Sequence, residues 1–347
     1  MANYTAANLL AAQINMQNEF ANNDQRYREP SVFKLFLKGA ERFFPNYKAL
    51  KTAPNRAIQA NYFLKRNQAL GTGGRTHNHT GSGSDSGVMN LSWVTKDDKF
   101  STSLKQANNN SYTLQEHLNN EFRNVVINFA NGLDAEAGQY AFDNRTGFSG
   151  GTVGNKVTFN ATNDVYVTTE SYTNEIATLM KTIADINKYQ GSNIDVICDA
   201  YLFTEILRLA AQGATNATNT SFQFLNTNFV LDPLMGARAL ALDASYSKGF
   251  AIVVPGNTIA CADWIEKENR EGTETKEQSY SSLINPVDGL QYAVHTYSSR
   301  ADGSGRNGQK QDEVTETEVS IDLSFNHAPD SETNGSPLMA FAITPNS

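Results

Sequence analysis

The most regular pattern in the chain is an apolar stripe in its second hundred residues. Leu114, Leu118, Phe122, Val125, Phe129, Leu133, Ala137 and Tyr140 recur at steps of four and three. That spacing keeps them on one face of an α-helix. Thr113-Leu114-Gln115-Glu116 precedes the stripe with the spacing of a capping box, in which threonine and glutamate each satisfy a backbone donor of the first turn. The pattern predicts one helix of some thirty residues, ending before Asn144 and Gly147. At 1.5 Å per residue it would be about 45 Å long, which suits a flat, elongated body.

Two shorter helices are predicted upstream. Over residues 5–21, Leu9, Ala12, Met16 and Phe20 share one narrow face, which needs a partner, and another copy of the chain is one candidate. Pro30 opens a second helix over Ser31–Phe44, and Pro45 ends it. Lys34, Lys38 and Arg42 make one of its faces basic, with Phe33, Leu37 and Phe44 elsewhere. Such a helix can grip a groove or lie on a membrane, or be a surface helix docked by its aromatics. A long β-hairpin follows, with Arg56–Arg66 as one arm and Val88–Lys105 as the other. Between the arms, Gly71–Gly87 holds no aliphatic side chain, so it cannot be core and reads as a mobile tip.

Beyond the long helix the chain reads as an α/β unit. A helix over Ser171–Gln190 closes at Gly191, and a buried strand, Ile194–Cys198, runs into a helix capped by Asp199 and ending at Gly213. Phe222–Leu231, Phe250–Val254 and Asn257–Ala262 read as further strands. In the last third Leu290, Tyr292 and Val294 alternate with polar residues, as do Val319, Ile321, Leu323 and Phe325, and Leu338–Ile343 makes a final apolar strand. The fold class is therefore α+β.

Composition narrows the function. Charged residues are 18% of the 347, well under the globular norm, and Asn, Thr, Ser, Gly and Gln fill the deficit. Net charge is −8, which disfavours non-specific nucleic-acid binding by the whole surface. The charge is unevenly spread. From Arg26 to Arg66 ten basic residues face only Glu29 and Glu41, while Asp312, Glu313, Glu316, Glu318 and Asp322 are opposed only by Lys310. A basic front and an acidic rear would attract each other between neighbouring copies; each is otherwise a solvated face. Cys198 and Cys261 lie in strand-like apolar runs and read as buried free thiols. No signal-peptide pattern opens the chain and no run approaches the ~20 apolar residues of a membrane span, so folding in a cytosol is expected.

Catalytic motifs are scarce. There is no phosphate loop, dinucleotide fingerprint, nucleophile elbow or His-Glu-x-x-His string. His77-Asn78-His79 has metal-like spacing but no third ligand nearby. Asp97/Asp98 and Glu266/Glu268 are the paired carboxylates a β-rich hydrolase would use, yet both pairs sit among lysines in polar segments. No catalytic, cofactor-binding or metal site is assigned, and an enzyme is not expected.

The order of parts carries the identification. Asn90-Leu91-Ser92-Trp93 through Lys105-Gln106, leading into Thr113–Glu116, is similar to the return arm of an extended loop entering a spine helix. Ile194–Asp199 with Tyr201–Gly213 resembles an axial-domain strand and helix, and Gly256–Ile259 leading to Ala262–Gly272 resembles the strand and loop that leave that domain. Taken together the chain resembles the Hong Kong 97-type major capsid proteins of tailed bacteriophages. The resemblance implies an N-terminal arm over 1–55, an extended loop hairpin over 56–112, a spine helix and peripheral domain over 113–170, an axial domain over 171–262 and return strands over 263–347. It implies a homo-oligomer of pentamers and hexamers forming an icosahedral virion shell around double-stranded DNA, without sequence-specific binding, cofactor or membrane. Assembly in the host cytoplasm with scaffolding, portal and decoration proteins belongs to the same expectation. The chain opens directly on the arm, so scaffold would be a separate protein. Some members cross-link a loop lysine to a neighbour's asparagine; Lys65, Lys96, Lys99 and Lys105 are available, and none is assigned. An encapsulin-like cellular nanocompartment with this fold is the nearest alternative, with a tail-tube or surface-layer subunit and the hydrolase behind it.

Overall fold

A computed structural model of the chain describes residues 6–22, 26–44, 47–56, 59–64, 66, 70, 83–103, 113–145, 153–189, 193–212, 221–224, 227–274, 278–300, 313–330 and 335–346. Among these, α1 (Ala6–Ala21), α2 (Ser31–Phe43) and α3 (Tyr47–Thr52) precede a two-stranded hairpin of β1 (Gln59–Phe63) and β2 (Ser86–Asn90). The strand β3 (Val94–Ser103) and the long helix α4 (Leu114–Asp143) follow. Most of the hairpin tip, with His77 and His79, lies outside the described residues, as do Lys65 and Lys105.

α4 has the predicted length because both of its sequence signals hold. Thr113 Oγ1 accepts from Glu116 N at 3.2 Å, and Thr113 N donates to Glu116 Oε2 at 2.6 Å, completing the capping box. Leu118, Phe122, Val125, Phe129, Leu133 and Ala137 are buried along its length. They pack on a five-stranded antiparallel sheet whose central strand is β13 (Glu313–His327). β3 lies along one edge of β13. β12 (Gln291–Arg300) and β10 (Ile259–Trp264) share the other, and β11 (Gln278–Ile284) lies outside β12. Phe129 meets Tyr292 edge-on at 4.7 Å and Phe100 meets Phe122 at 5.3 Å, so aromatics set the spacing of helix and sheet.

The expected partner of α1 is found within the same chain. Ala12, Met16 and Phe20 are buried against α4, Gln115 Nε2 donates to Asn8 O at 3.1 Å, and Arg123 pairs with Glu19 at 2.8 Å. α2 is likewise a docked helix: Val32, Phe33, Phe36 and Ala40 face β10 and α4. It comes so close that a methyl at Gly39 would run into the Ile259 carbonyl.

The hairpin differs from expectation in its second arm. Only β2 pairs with β1; after Leu91-Ser92-Trp93 the chain turns into β3 and joins β13. Alternation explains the division, since Phe100 and Thr102 point into the core while Asp97, Lys99 and Ser101 face outward.

The remaining strands form a seven-stranded mixed sheet in the order β4-β5-β14-β9-β6-β8-β7, with β4 (Thr158–Asn160), β5 (Val165–Thr169), β6 (Ile194–Cys198), β7 (Ser221–Phe224), β8 (Thr227–Leu231), β9 (Phe250–Pro255) and β14 (Met339–Thr344). α5 (Ile176–Ile186) and α6 (Ala200–Gln212) cover one face, and the other joins the core under α4. Burial on both faces explains why β9 and β14 read as unbroken apolar runs. The predicted helix over Ser171–Gln190 is shorter than expected: Glu170–Glu175 is a 3₁₀ turn, and the α-helix stops where Lys188 takes φ 67°. Phe222–Leu231 is two antiparallel strands, β7 and β8, in place of one. The adjacent runs β9 and β10 do not pair. Gly256 and Asn257 (φ 61°) turn the chain from one sheet into the other, and a methyl at Gly256 would come within 2.5 Å of Asn193 O.

Candidate assembly surface

The structure disperses the paired carboxylates. Asp97 and Asp98 alternate across β3: Asp97 pairs with Lys99 at 2.9 Å on the outer face, and Asp98 accepts from Asn128 of α4 at 2.9 Å. Glu266 and Glu268 are exposed at the start of α8 (Lys267–Glu271), which follows α7 (Met235–Leu242) in the chain. Lys96 bonds Glu136 and Lys99 bonds Glu318, so two of the four lysines available for cross-linking are held in ion pairs within the chain. Cys198 and Cys261 are unpaired and fully buried, and burial pushes both thiols well above their ordinary range. Among the described residues no group of three His, Cys, Asp or Glu side chains is placed to hold a metal, and no helix is long and apolar enough to cross a membrane.

Charged groups are instead used to fasten segments together. Asp134, next to Leu133 on the buried side of α4, is fully buried and accepts from Arg28 and from the backbone N–H groups of Val32 at 2.8 Å and Phe33 at 3.1 Å. A side chain from α4 therefore caps α2, whose own N-cap residue, Pro30, offers no side-chain acceptor. Four residues further along, Gly138 leaves room for the buried pair Asp232–Arg238. Arg238 also donates to Ala135 O at 2.7 Å and Gln139 Oε1 at 2.8 Å, joining α7 to α4.

The basic front meets acids of its own chain. Lys51 pairs with Asp263 at 3.2 Å and Arg56 with Asp322 at 3.3 Å. Tyr47 donates to the buried Asp263 carboxylate, and burial, then that carboxylate, raise the Tyr47 hydroxyl well above its usual range, so it stays a donor. Trp264 Nε1 and Arg270 Nη2 both donate to Ala53 O, at 3.1 and 2.6 Å, with the guanidinium groups of Arg56 and Arg270 over the indole. The expected attraction between basic and acidic regions is thus satisfied in part within one chain, by Arg56 and Asp322. Sequence reasoning missed Asp134, Asp232 and Arg238; the signal for Asp134 was an acid in the row beside the stripe, between Ala130 and Gly138.

What these fastenings hold out is an uncovered surface. On the hairpin, Met89 with Leu91 and Trp93 just beyond it packs toward Phe44, Tyr47 and Trp264, while Phe63 and Val88 share the opposite face, 78% and 54% exposed. On α1, Leu10 and Ile14 are 57% and 48% exposed. The outer face of the five-stranded sheet is polar, carrying Tyr280 stacked on His295 at 4.6 Å beside Glu316 and Glu318. Large exposed apolar groups on projecting elements mark contact surfaces more than catalytic ones.

No family model and no curated protein matches the sequence. Among solved structures, a chain of the cyanophage Pam1 capsid asymmetric unit is similar over 92% of this chain and 93% of its own, at 9% identity and TM-score 0.54. Chains of Mycobacterium phage Che8 (7% identity, 91% and 93% covered, TM-score 0.48) and Mycobacterium phage Bobi (8%, 93% and 92%, 0.45) are also similar. The chain has the fold of the Pam1 capsid subunit, nearly end to end.

Proposed function

We propose that this chain is the major capsid protein of a tailed bacteriophage, of the Hong Kong 97 type, and that it works by assembling. The observation that carries the reading is the whole-chain likeness of fold to a capsid subunit. The uncovered apolar face of the hairpin, held out by a fastened base, supports it. In this reading residues 1–55 are the N-terminal arm, 56–112 the extended loop, 113–170 the spine helix and peripheral domain, 171–262 the axial domain, and 263–347 the return strands. Subunits form pentamers and hexamers that close an icosahedral shell around double-stranded DNA, with scaffolding, portal and decoration proteins as partners. Assembly takes place in the host cytoplasm and the protein ends in the virion. Many modest contacts, repeated by symmetry, close the shell without a single strong one. The net charge of −8 fits a wall that encloses DNA without gripping it.

Negative-stain microscopy and sedimentation of the protein produced with a scaffolding protein test this. Closed particles of uniform diameter are expected; a stable monomer with hydrolytic activity lost on Asp97→Asn or Glu266→Gln would overturn it.

A further inference from the structure

We propose that the face of the five-stranded sheet turned away from α4 is a docking groove for a basic, extended segment of a second protein, one that presents a cationic side chain at each end of the groove. The proposal concerns the single chain and does not depend on the shell reading. Cross-strand register puts Gln278, Tyr297, Glu316 and Ser101 in one row across β11, β12, β13 and β3, and Tyr280, His295, Glu318 and Lys99 in the next. The third row has only Ala293 and Ser320 at its centre, and beyond it stand Trp264 and Arg56 at the hairpin base. Short side chains between tall ones leave two joined hollows, of about 450 and 300 Å³, that share His295 and Glu318 and run along β13 from Glu316 to Asp322. That run of strand is about 20 Å long, room for about six residues of extended peptide.

Charge selects the occupant. Four carboxylates line the hollows, Glu266, Glu316, Glu318 and Asp322, against two cations, Arg56 and Lys99. Both cations are spent: Arg56 on Asp322 at 3.3 Å, Lys99 on Glu318 at 3.2 Å and on Asp97 at 2.9 Å. Glu316 in one hollow and Glu266 in the other are exposed, and neither meets a cation among the described residues. Between them Tyr297 is 38% exposed and Tyr280 stacks on His295, rings that attract a guanidinium laid over them. A carboxylate beside an aromatic face is the setting an arginine side chain binds, its fork on the oxygens and its plane on the ring. A metal ion would need a third ligand, and among the described residues no such trio exists. Nucleic acid is repelled by this face. A second copy is disfavoured, because chains of net charge −8 repel one another and five of the ten basic residues from Arg26 to Arg66 are held by acids of their own chain.

Fluorescence anisotropy with the whole chain, kept dilute, tests this. The probe is a fluorescein-labelled serine–glycine peptide about seven residues long with an arginine at each end, and its isomer carries both arginines side by side. The spaced peptide should bind about fivefold more tightly than the isomer. Glu266→Gln with Glu316→Gln should weaken it about tenfold, and Tyr297→Ser alone about threefold. All three positions are exposed, so circular dichroism should match the wild type. Glu175→Gln with Asp185→Asn removes the same charge from around α5 and should leave the affinity within about twofold. Equal affinity for the two isomers, an equal loss in both double variants, or no loss in the groove variants would overturn the proposal. Binding that persists on associated copies or closed particles upholds it. Binding that vanishes there would assign the face to contacts between copies and overturn the second-protein reading. If no particles form, the shell reading fails while the dilute-chain result still decides this one.

Discussion

Gly132 and Gly138 lie six residues apart in α4, and the same substitution should move stability in opposite directions. Gly→Ala in a helix interior is worth about 1 kcal/mol in intrinsic propensity. At Gly132 nothing lies within 4 Å of an added methyl, so Gly132→Ala should gain that amount. At Gly138 the methyl would sit 2.9 Å from Arg238 Nη1 and 3.0 Å from Asp232 Cγ, and closer still to Asp232 Oδ2. Overpacking costs about 1–3 kcal/mol. Here the obstacle is a buried ion pair, and separating such a pair costs about 3–5 kcal/mol. Partial separation after relaxation leaves a net loss of about 2 kcal/mol once propensity is credited. Urea unfolding of unassembled subunits, followed by helical circular dichroism, measures both. A Gly138→Ala midpoint at or above that of Gly132→Ala would refute the assignment of the Asp232–Arg238 contact as the joint between α4 and α7.

Phe129→Asp should leave the subunit insoluble, because the loss of a buried aromatic (about 3–5 kcal/mol) and an unpaired buried charge together rival total stability; solubility and circular dichroism report it. Asp134→Ala strands the Arg28 guanidinium and two α2 N–H groups and should cost about 3–5 kcal/mol, read as a fall in urea midpoint, with Asp134→Asn losing less. Burial pushes Asp288 up to about 6, while Tyr292 OH and Leu290 N donate to it at 2.7 and 2.8 Å. Because the folded pKa lies above the unfolded one, the contribution is full below pH ~4 and fades as pH rises through about 6. Asp288→Asn should therefore lie higher relative to wild type at pH 8 than at pH 4.5, and a pH-independent difference in melting temperature would contradict this.

Local patterns were legible and distant pairings were not. α4 could be read from Thr113, Glu116 and its stripe because every signal lies within one or two turns. The end of the hairpin could not, because β3 chooses β13, whose residues lie some two hundred positions away, as with Thr102 and Thr315. Nothing in residues 94–103 names that partner. α3 was missed because six residues hold too little periodicity to register. Phe222–Leu231 read as one strand because apolar content, which both β7 and β8 share, masks the reversal between them. At the candidate surface, sequence reasoning singled out the hairpin and α1. It could not tell which face of either would remain uncovered, since that depends on α4 and on the cluster around Trp264.

The position of β14 governs the order in which a subunit can be completed. It is the last strand among the described residues, yet it lies between β5 and β9, paired in parallel to one and antiparallel to the other, with Met339–Ile343 almost wholly buried. Without it the seven-stranded sheet is two fragments, β4-β5 and β9-β6-β8-β7, each with a raw edge. On the ribosome that gap persists until residue 344 has cleared the exit tunnel. A chain that lacks residues 339–344 therefore cannot join β5 to β9, and the two fragments of this sheet stay apart.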